Sequence, residues 1–341
     1  MRPTGLRRVP VPVWGGLLVG GLVVSITIAI TLGPAEISAG EVWASVLHHL
    51  GIGESPLSPL RDGIVWQLRM PRVLTAAAVG AGLAIAGAVM QALTRNSLAD
   101  PYLLGLSSGA SLGAVSVILL GVTVLLPLAA FGGALIALVL TLLIASAAGA
   151  LTPSRTVLAG VAVSSLGAAL TSFLIFWTAK GDSYREILNW LLGSLAGAGW
   201  SAVAISFGAI ALVGIPIMIA GRSLDAFAFG DTAAAALGIS VSGTRWMLLV
   251  ATALLTGAMV SVSGSIGFVG LVLPHAVRLV VGSRHRVLLP LSALVGAIFL
   301  IWSDTLARTL FDPRELPVGI ITAVIGAPLF VLLLTRKSTR V

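Results

Sequence analysis

"QLRMPRVLTAAAVGAGLAIAGAVMQALTRNSL", residues 67–98, is an apolar run with arginines at both ends. A helix needs roughly 20 apolar residues to cross about 30 Å of hydrocarbon. Residues 74–93 supply them without a single charge. Arg69 and Arg72 flank a Met-Pro pair just before the run opens at Val73. Comparable runs recur along the 341 residues, and spans are expected at about 13–32, 74–93, 104–123, 126–149, 156–178, 201–220, 245–263, 266–282, 288–304 and 317–335.

The composition agrees. The chain is 57% hydrophobic and 9% charged, with a mean hydropathy of +1.09, whereas soluble domains carry about 25% charged residues. An all-α polytopic membrane protein is expected, because the alternating ten-residue segments of a transmembrane barrel are absent. The net charge of +8 comes from basic residues scattered over short loops, without the stripe that binding to nucleic acid requires. There is no cysteine, so no disulfide, thiolate or thiolate-held metal is involved. "MRPTGLRRVP" looks like the start of a signal peptide, but no A-x-A site follows the first apolar run, and an uncleaved first helix is expected.

Ten spans place both termini on one side. With that side cytoplasmic, inner segments hold 13 of the 20 Lys and Arg and outer segments hold 7; acidic residues divide 3 inside to 9 outside. The basic bias fits the positive-inside rule and gives an N-in/C-in chain. Arg69 and Arg72 then lie on the outer face, where arginine should be scarce. The outer loop 33–72 contains "SAGEVWASVLHHL" (38–50), amphipathic enough to lie along the membrane surface. Residues 179–200 read as a second interfacial segment, with Trp190 and Trp200 at the headgroups. The inner loop 221–244 carries an Ala run between Asp231 and Gly238 that predicts a short cytoplasmic helix. No linker interrupts the chain, so residues 1–341 read as one membrane domain. Gly105, Gly109 and Gly113 form a small-xxx-small face for close helix packing. Gly264, Gly267 and Gly270, followed by Pro274, predict a short or broken eighth span.

Several chemistries are missing. The two lysines, Lys180 and Lys337, follow no G-x-x-x-x-G pattern, so the chain has no phosphate-cradling loop and is not an ATPase by itself. His48, His49, His275 and His285 form no H-E-x-x-H motif. The twelve acidic residues fall in loops or at helix ends, Asp304 being nearest to an exception, and Asp304 and Arg308 are spaced as an i,i+4 ion pair. A proton-coupled transporter would need a carboxylate at mid-membrane, and a selective channel would need a filter or a charge ring. What remains is a transporter with no energy source of its own.

The motifs "LRMPR" (68–72), "GAVMQALTRNSLADPYLLGLSSGA" (87–110), "LAGVA" (158–162), "GSIGFVGLVLPHAVRL" (264–279), "HRVLLP" (285–290), "SDTLAR" (303–308) and "ELPVGIITAVIGAPLF" (315–330) occur in that order. Through them the chain, from about Val65 to Leu334, resembles the FecCD permeases of bacterial ABC importers for iron-siderophores, haem and vitamin B12. One departure is Ser97, where the family usually has proline after Asn96; the freed backbone N–H should loosen that turn.

The resemblance implies a type II importer permease fold with about ten helices. It also implies a second permease copy, identical or paralogous, and two ATPase subunits on the inside that bind the ATP and Mg, this chain holding no cofactor. A periplasmic or lipid-anchored solute-binding protein would dock outside. An iron-siderophore is the expected cargo, with haem or cobalamin as the alternative. By the same resemblance Arg69, Arg72 and Arg308 would dock the binding protein's glutamates, although anchoring at the headgroups is the alternative for the first two. Asn96, Leu98, Thr152 and Ser154 would form the cytoplasmic gate. Residues 222–240, with Asp225, Gly230, Asp231 and Gly238, would couple to the ATPase.

Overall fold

The computed structural model describes residues 10–147, 152–227 and 230–338, which are helical and contain no strand. In chain order the helices are α1 (Val11–Thr31), α2 (Ala39–His49), α3 (Pro59–Gly63), α4 (Met70–Thr94), α5 (Leu106–Leu119), α6 (Leu126–Ala147), α7 (Pro153–Thr178) and α8 (Ser183–Leu191). Then come α9 (Trp200–Ala209), α10 (Ile215–Ile219), α11 (Gly221–Phe227), α12 (Asp231–Ala236), α13 (Val241–Ser263), α14 (Val269–Val281), α15 (His285–Thr309) and α16 (Val318–Ser338). Among the described residues seven helical stretches are long and apolar enough to span a membrane. Three shorter apolar helices, 106–119, 269–281 and 318–333, fall where the third, eighth and tenth spans are expected.

The run that opens the sequence argument becomes the centre of the molecule. α4 is buried on every side and packs against α9, α13, α14 and α15, as a helix apolar all round its circumference must be. Small residues set the spacing. A Cβ on Gly80 would run into the Gly296 carbonyl of α15, and one on Gly87 into the Gly270 carbonyl of α14. Gly109 and Gly113 bring α5 against Gly133 and Ala129 of α6 in the same way. Gly105 has a different job, since it opens α5 at φ +79.

Two boundaries differ from expectation. Helix continues from Pro59 through Thr94, so the outer loop closes at residue 58 rather than 72 and "QLRMPR" is helical. The cause is local. Pro71 has no N–H to give to the Gln67 carbonyl, and the chain takes a π-helical turn over Ile64–Arg69, with the Met70 N–H on Val65 O. The same device precedes Pro216, over Ile210–Gly214. The eighth span is short as expected: Gly264 at φ +68 and Phe268 at φ +69 break the chain before α14. At the far end of the inner loop, α13 begins at Val241, so residues 241–244 are helix, not loop. Trp190 is buried instead of facing headgroups, and the Trp200 indole donates to Trp66 O at 3.0 Å.

The amphipathic α2 starts with a reciprocal cap. Ser38 Oγ accepts from Glu41 N–H at 3.3 Å and Glu41 Oε2 accepts from Ser38 N–H at 2.8 Å. That backbone bond, with the Ser38 hydroxyl, holds the Glu41 carboxyl below the usual carboxylate range.

Candidate functional site

At the expected outer face the π turn carries Arg69 toward the end of α1. Its guanidinium donates to Ile30 O at 2.8 Å, Thr31 O at 3.2 Å and Ala35 O at 2.9 Å. Arg308, near the end of α15, donates to Leu32 O at 2.7 Å and to Ala29 O. The last carbonyls of a helix lack intrahelical donors and sit at the negative end of its dipole, so two arginines from distant sequence satisfy the end of α1. Gly33, at φ +140, turns the chain past them; a Cβ there would lie 2.7 Å from Arg69 Nη2 and 3.4 Å from Arg308 Nη1.

Arg72 takes a different partner. Its Nε lies 2.9 Å from Asp304 Oδ2 and its Nη2 3.0 Å from Asp304 Oδ1, while Nη1 reaches Glu315 Oε2 at 2.7 Å. This corrects the expected Asp304–Arg308 pair, because the Asp304 carboxylate is engaged side-on by α4 and Arg308 turns to α1. Asp304 is 1% exposed, and the planar guanidinium fork of Arg72 satisfies this buried carboxylate at both oxygens. Arg69 is 8% exposed, with its donors on protein carbonyls, and so is no headgroup anchor. Arg69, Arg72, Arg308 and Glu315 together line a cavity of about 500 Å³ that residues 196–199 also line. The three arginines expected to act together therefore do converge. Glu315 is the member that sequence reasoning missed, whereas Asp304, the acid nearest to an exception in the sequence, takes Arg72 in place of the expected Arg308.

At the expected inner face α4 ends on Arg95, held at φ +52. Asn96 Oδ1 accepts from Leu98 N–H at 2.9 Å, and Asn96 O accepts from Ala99 N–H at 3.1 Å. The turn expected to be loosened by Ser97 is closed by Asn96 instead. Leu98 stands 38% exposed at its tip. Thr152 caps α7, its Oγ1 accepting from Arg155 N–H at 3.4 Å, and Thr152 and Ser154 are both exposed. Leu151, which precedes Thr152, lies outside the described residues.

The inner loop folds as α11 and α12, the latter bounded by Gly230 (φ +97) and Gly238 (φ +81). Asp225 and Asp231 turn toward the chain's own helices. Asp225 Oδ1 accepts from His285 N–H at 2.8 Å and lies 2.7 Å from His285 Nδ1, and Asp231 Oδ1 lies 2.7 Å from Arg245 Nη2 of α13. Arg245 also stands over the Phe227 ring, 5.4 Å from its centroid. Before the Asn96 turn Gln91 ties α4 to α14, donating to Leu271 O at 3.0 Å and accepting from Arg278 Nη1 at 2.9 Å.

Comparison with known proteins gives the frame for these features. The model of the FecCD transport family matches residues 21–336. An ABC transporter permease of Bacillus subtilis, YvrB, is 46% identical over 93% of this chain and 91% of its own length. The Fe(3+) dicitrate transport system permease FecD of Escherichia coli is 44% identical, covering 80% of this chain and 85% of its own. The vitamin B12 import system permease BtuC of Vibrio cholerae is 41% identical, with coverage of 87% and 88%. Among solved structures, a metal-chelate type ABC transporter in an inward-facing conformation superposes with a TM-score of 0.84 at 31% identity, over 95% of this chain and 99% of that one. The all-helical architecture is the type II ABC importer permease fold, and the chain belongs to the FecCD transport family as an ABC transporter permease.

Proposed function

We propose that this chain forms the transmembrane pathway of an importer for an iron-siderophore complex, oriented N-in/C-in and paired with a second permease copy. Two ATPase subunits bind the 221–244 loop and supply the ATP hydrolysis that this chain lacks. A solute-binding protein docks on the outer cavity. The observation that carries the docking reading is the convergence of Arg69, Arg72 and Arg308 on one cavity. The iron-siderophore cargo is favoured by the Fe(3+) dicitrate permease and the metal-chelate type transporter among the similar proteins. Glu315, which occupies one arm of Arg72, is exposed. An incoming carboxylate can therefore replace it while Asp304 keeps the other arm. Such rim pairs contribute about 0–1 kcal/mol each and act mainly on orientation and association rate. At the inner end Leu98, with Asn96, Thr152 and Ser154 beside it, closes the pathway against the partner copy. Asp225 and Asp231 brace the coupling loop from behind, and Gly230 and Gly238 end its exposed helix α12.

A cobalamin importer is the second reading, favoured by the vitamin B12 permeases among the relatives. Uptake by proteoliposomes holding the permease, its ATPase and its binding protein separates the two. ATP-dependent accumulation of a radioiron-labelled ferric siderophore, without accumulation of labelled cobalamin, is expected. The reverse result assigns cobalamin, and accumulation of neither refutes both.

A further inference from the structure

α11 is fastened to the start of α15 by a part-buried polar contact. The first N–H groups of a helix have no intrahelical acceptor and are ordinarily capped by the preceding side chain, but Arg284, at that position, makes no such cap. The acceptor comes instead from α11, sixty residues earlier, as Asp225 Oδ1 takes both the His285 backbone N–H and the ring Nδ1. A carboxylate facing Nδ1 fixes the proton on that nitrogen. The ring is buried, and its Nε2 has no hydrogen-bond partner, so the imidazole makes its polar contact on the α11 side. Gly221 brings α11 close enough that a Cβ there would lie 3.2 Å from Arg286 N.

α15 then runs unbroken to Thr309 and packs along α4. Its far end holds Asp304, clasped by Arg72 of α4. The coupling loop and the outer arginine cavity are thus attached to opposite ends of one tightly packed helix pair. Rigid elements in contact at both ends are a physical route for coupling two distant sites.

We propose that the Asp225–His285 contact is a latch that makes α11 move as one body with α15, and that His285 is the positioning residue linking the ATPase-facing loop to the outer arginine cavity. This rests on the reading of 221–244 as the ATPase-binding loop. The test uses the complete complex in nanodiscs with His285→Ala, His285→Gln and His285→Asn. It reads ATPase co-purification, the factor by which the solute-binding protein stimulates ATP hydrolysis, and hydrogen exchange of the α11 amides.

Asparagine places an N–H donor where Nδ1 stands and glutamine does not. All three variants should retain the ATPase. Stimulation should fall at least about fivefold in the Ala and Gln variants and stay within about twofold of wild type in the Asn variant. Exchange in α11 should rise in the first two only. Wild-type stimulation in the Ala variant overturns the latch, as does equal loss in all three, which marks a merely structural ring. A wild-type complex in which 221–244 binds no ATPase refutes the underlying reading instead.

Discussion

Arg72→Gln is the perturbation whose size the structure fixes best. The side chain makes a side-on pair with Asp304, with Nε–Oδ2 at 2.9 Å and Nη2–Oδ1 at 3.0 Å, and holds exposed Glu315 at 2.7 Å. Removing one partner of a buried pair costs about 3–5 kcal/mol, because it strands a buried charge. Two features place this case near the lower end. The Arg308 guanidinium remains within electrostatic reach, and the cavity beside Arg72 has room for water. The expected loss is about 3 kcal/mol, a change of more than a hundredfold in the folding equilibrium.

Asp304→Asn alone should also destabilise, since it leaves Arg72 short of an acceptor. In the Arg72→Gln/Asp304→Asn double variant neither charge is stranded, and the net loss should shrink to about 1 kcal/mol, a coupling of roughly 2 kcal/mol or more. Unfolding titrated with dodecyl sulfate in mixed micelles measures all four proteins. If the two single losses add to within about 0.5 kcal/mol, the pair carries no coupled stability and the clamp argument is wrong. The consequence for docking assays is direct. Charge reversal at Arg72 sets two carboxylates together in a buried site, so lost docking in such a variant reports misfolding as well as recognition. Glu315→Ala frees one arm of Arg72 without touching Asp304 and is the cleaner probe.

Gly87→Ala drives a methyl into the Gly270 carbonyl, and the shift must also stretch the Gln91 contacts to α14. A loss of at least about 2 kcal/mol is expected in the same unfolding assay, against a change within about 0.5 kcal/mol for Gly132→Ala, where nothing lies within 4 Å of the new Cβ. Leu98→Ala removes the exposed tip of the Asn96 turn while leaving its backbone hydrogen bonds in place. Ligand leak from loaded proteoliposomes, or ATP turnover without binding protein, should therefore rise. Unchanged leak and unchanged turnover would put the plug at another residue.

Much of the architecture could be read in advance because it follows from transfer of single residues into hydrocarbon. Runs such as 74–93 count that transfer free energy over a window, and the ten expected spans all have helices in the structure. Gly264, Gly267 and Pro274 announced the short α14, because their backbone preferences act locally. Gly230 and Gly238 bounded α12 for the same reason. The family motifs also brought Arg69, Arg72 and Arg308 forward, although nothing in their spacing showed what each would touch.

Lateral arrangement was not legible. Lipid tails are as apolar as leucine, so hydropathy cannot say which span lies at the centre and which faces the bilayer. That α4 is enclosed on all sides, with Gly80 on Gly296 and Gly87 on Gly270, is a property of the packed bundle. The same holds for every long-range polar pair. Asp304 has Arg308 one turn away in sequence, yet it takes Arg72, 232 residues distant, because α4 and α15 cross at that height and Arg308 finds the open carbonyls of α1 nearer. Asp225 lies in an inner loop expected to face the ATPase, and the bare N-terminus of α15 draws it in. Local sequence determined which segments became helices and where their chains broke. Only the tertiary structure decided which buried charge meets which, since that choice depends on distances between helices that no window along the chain contains.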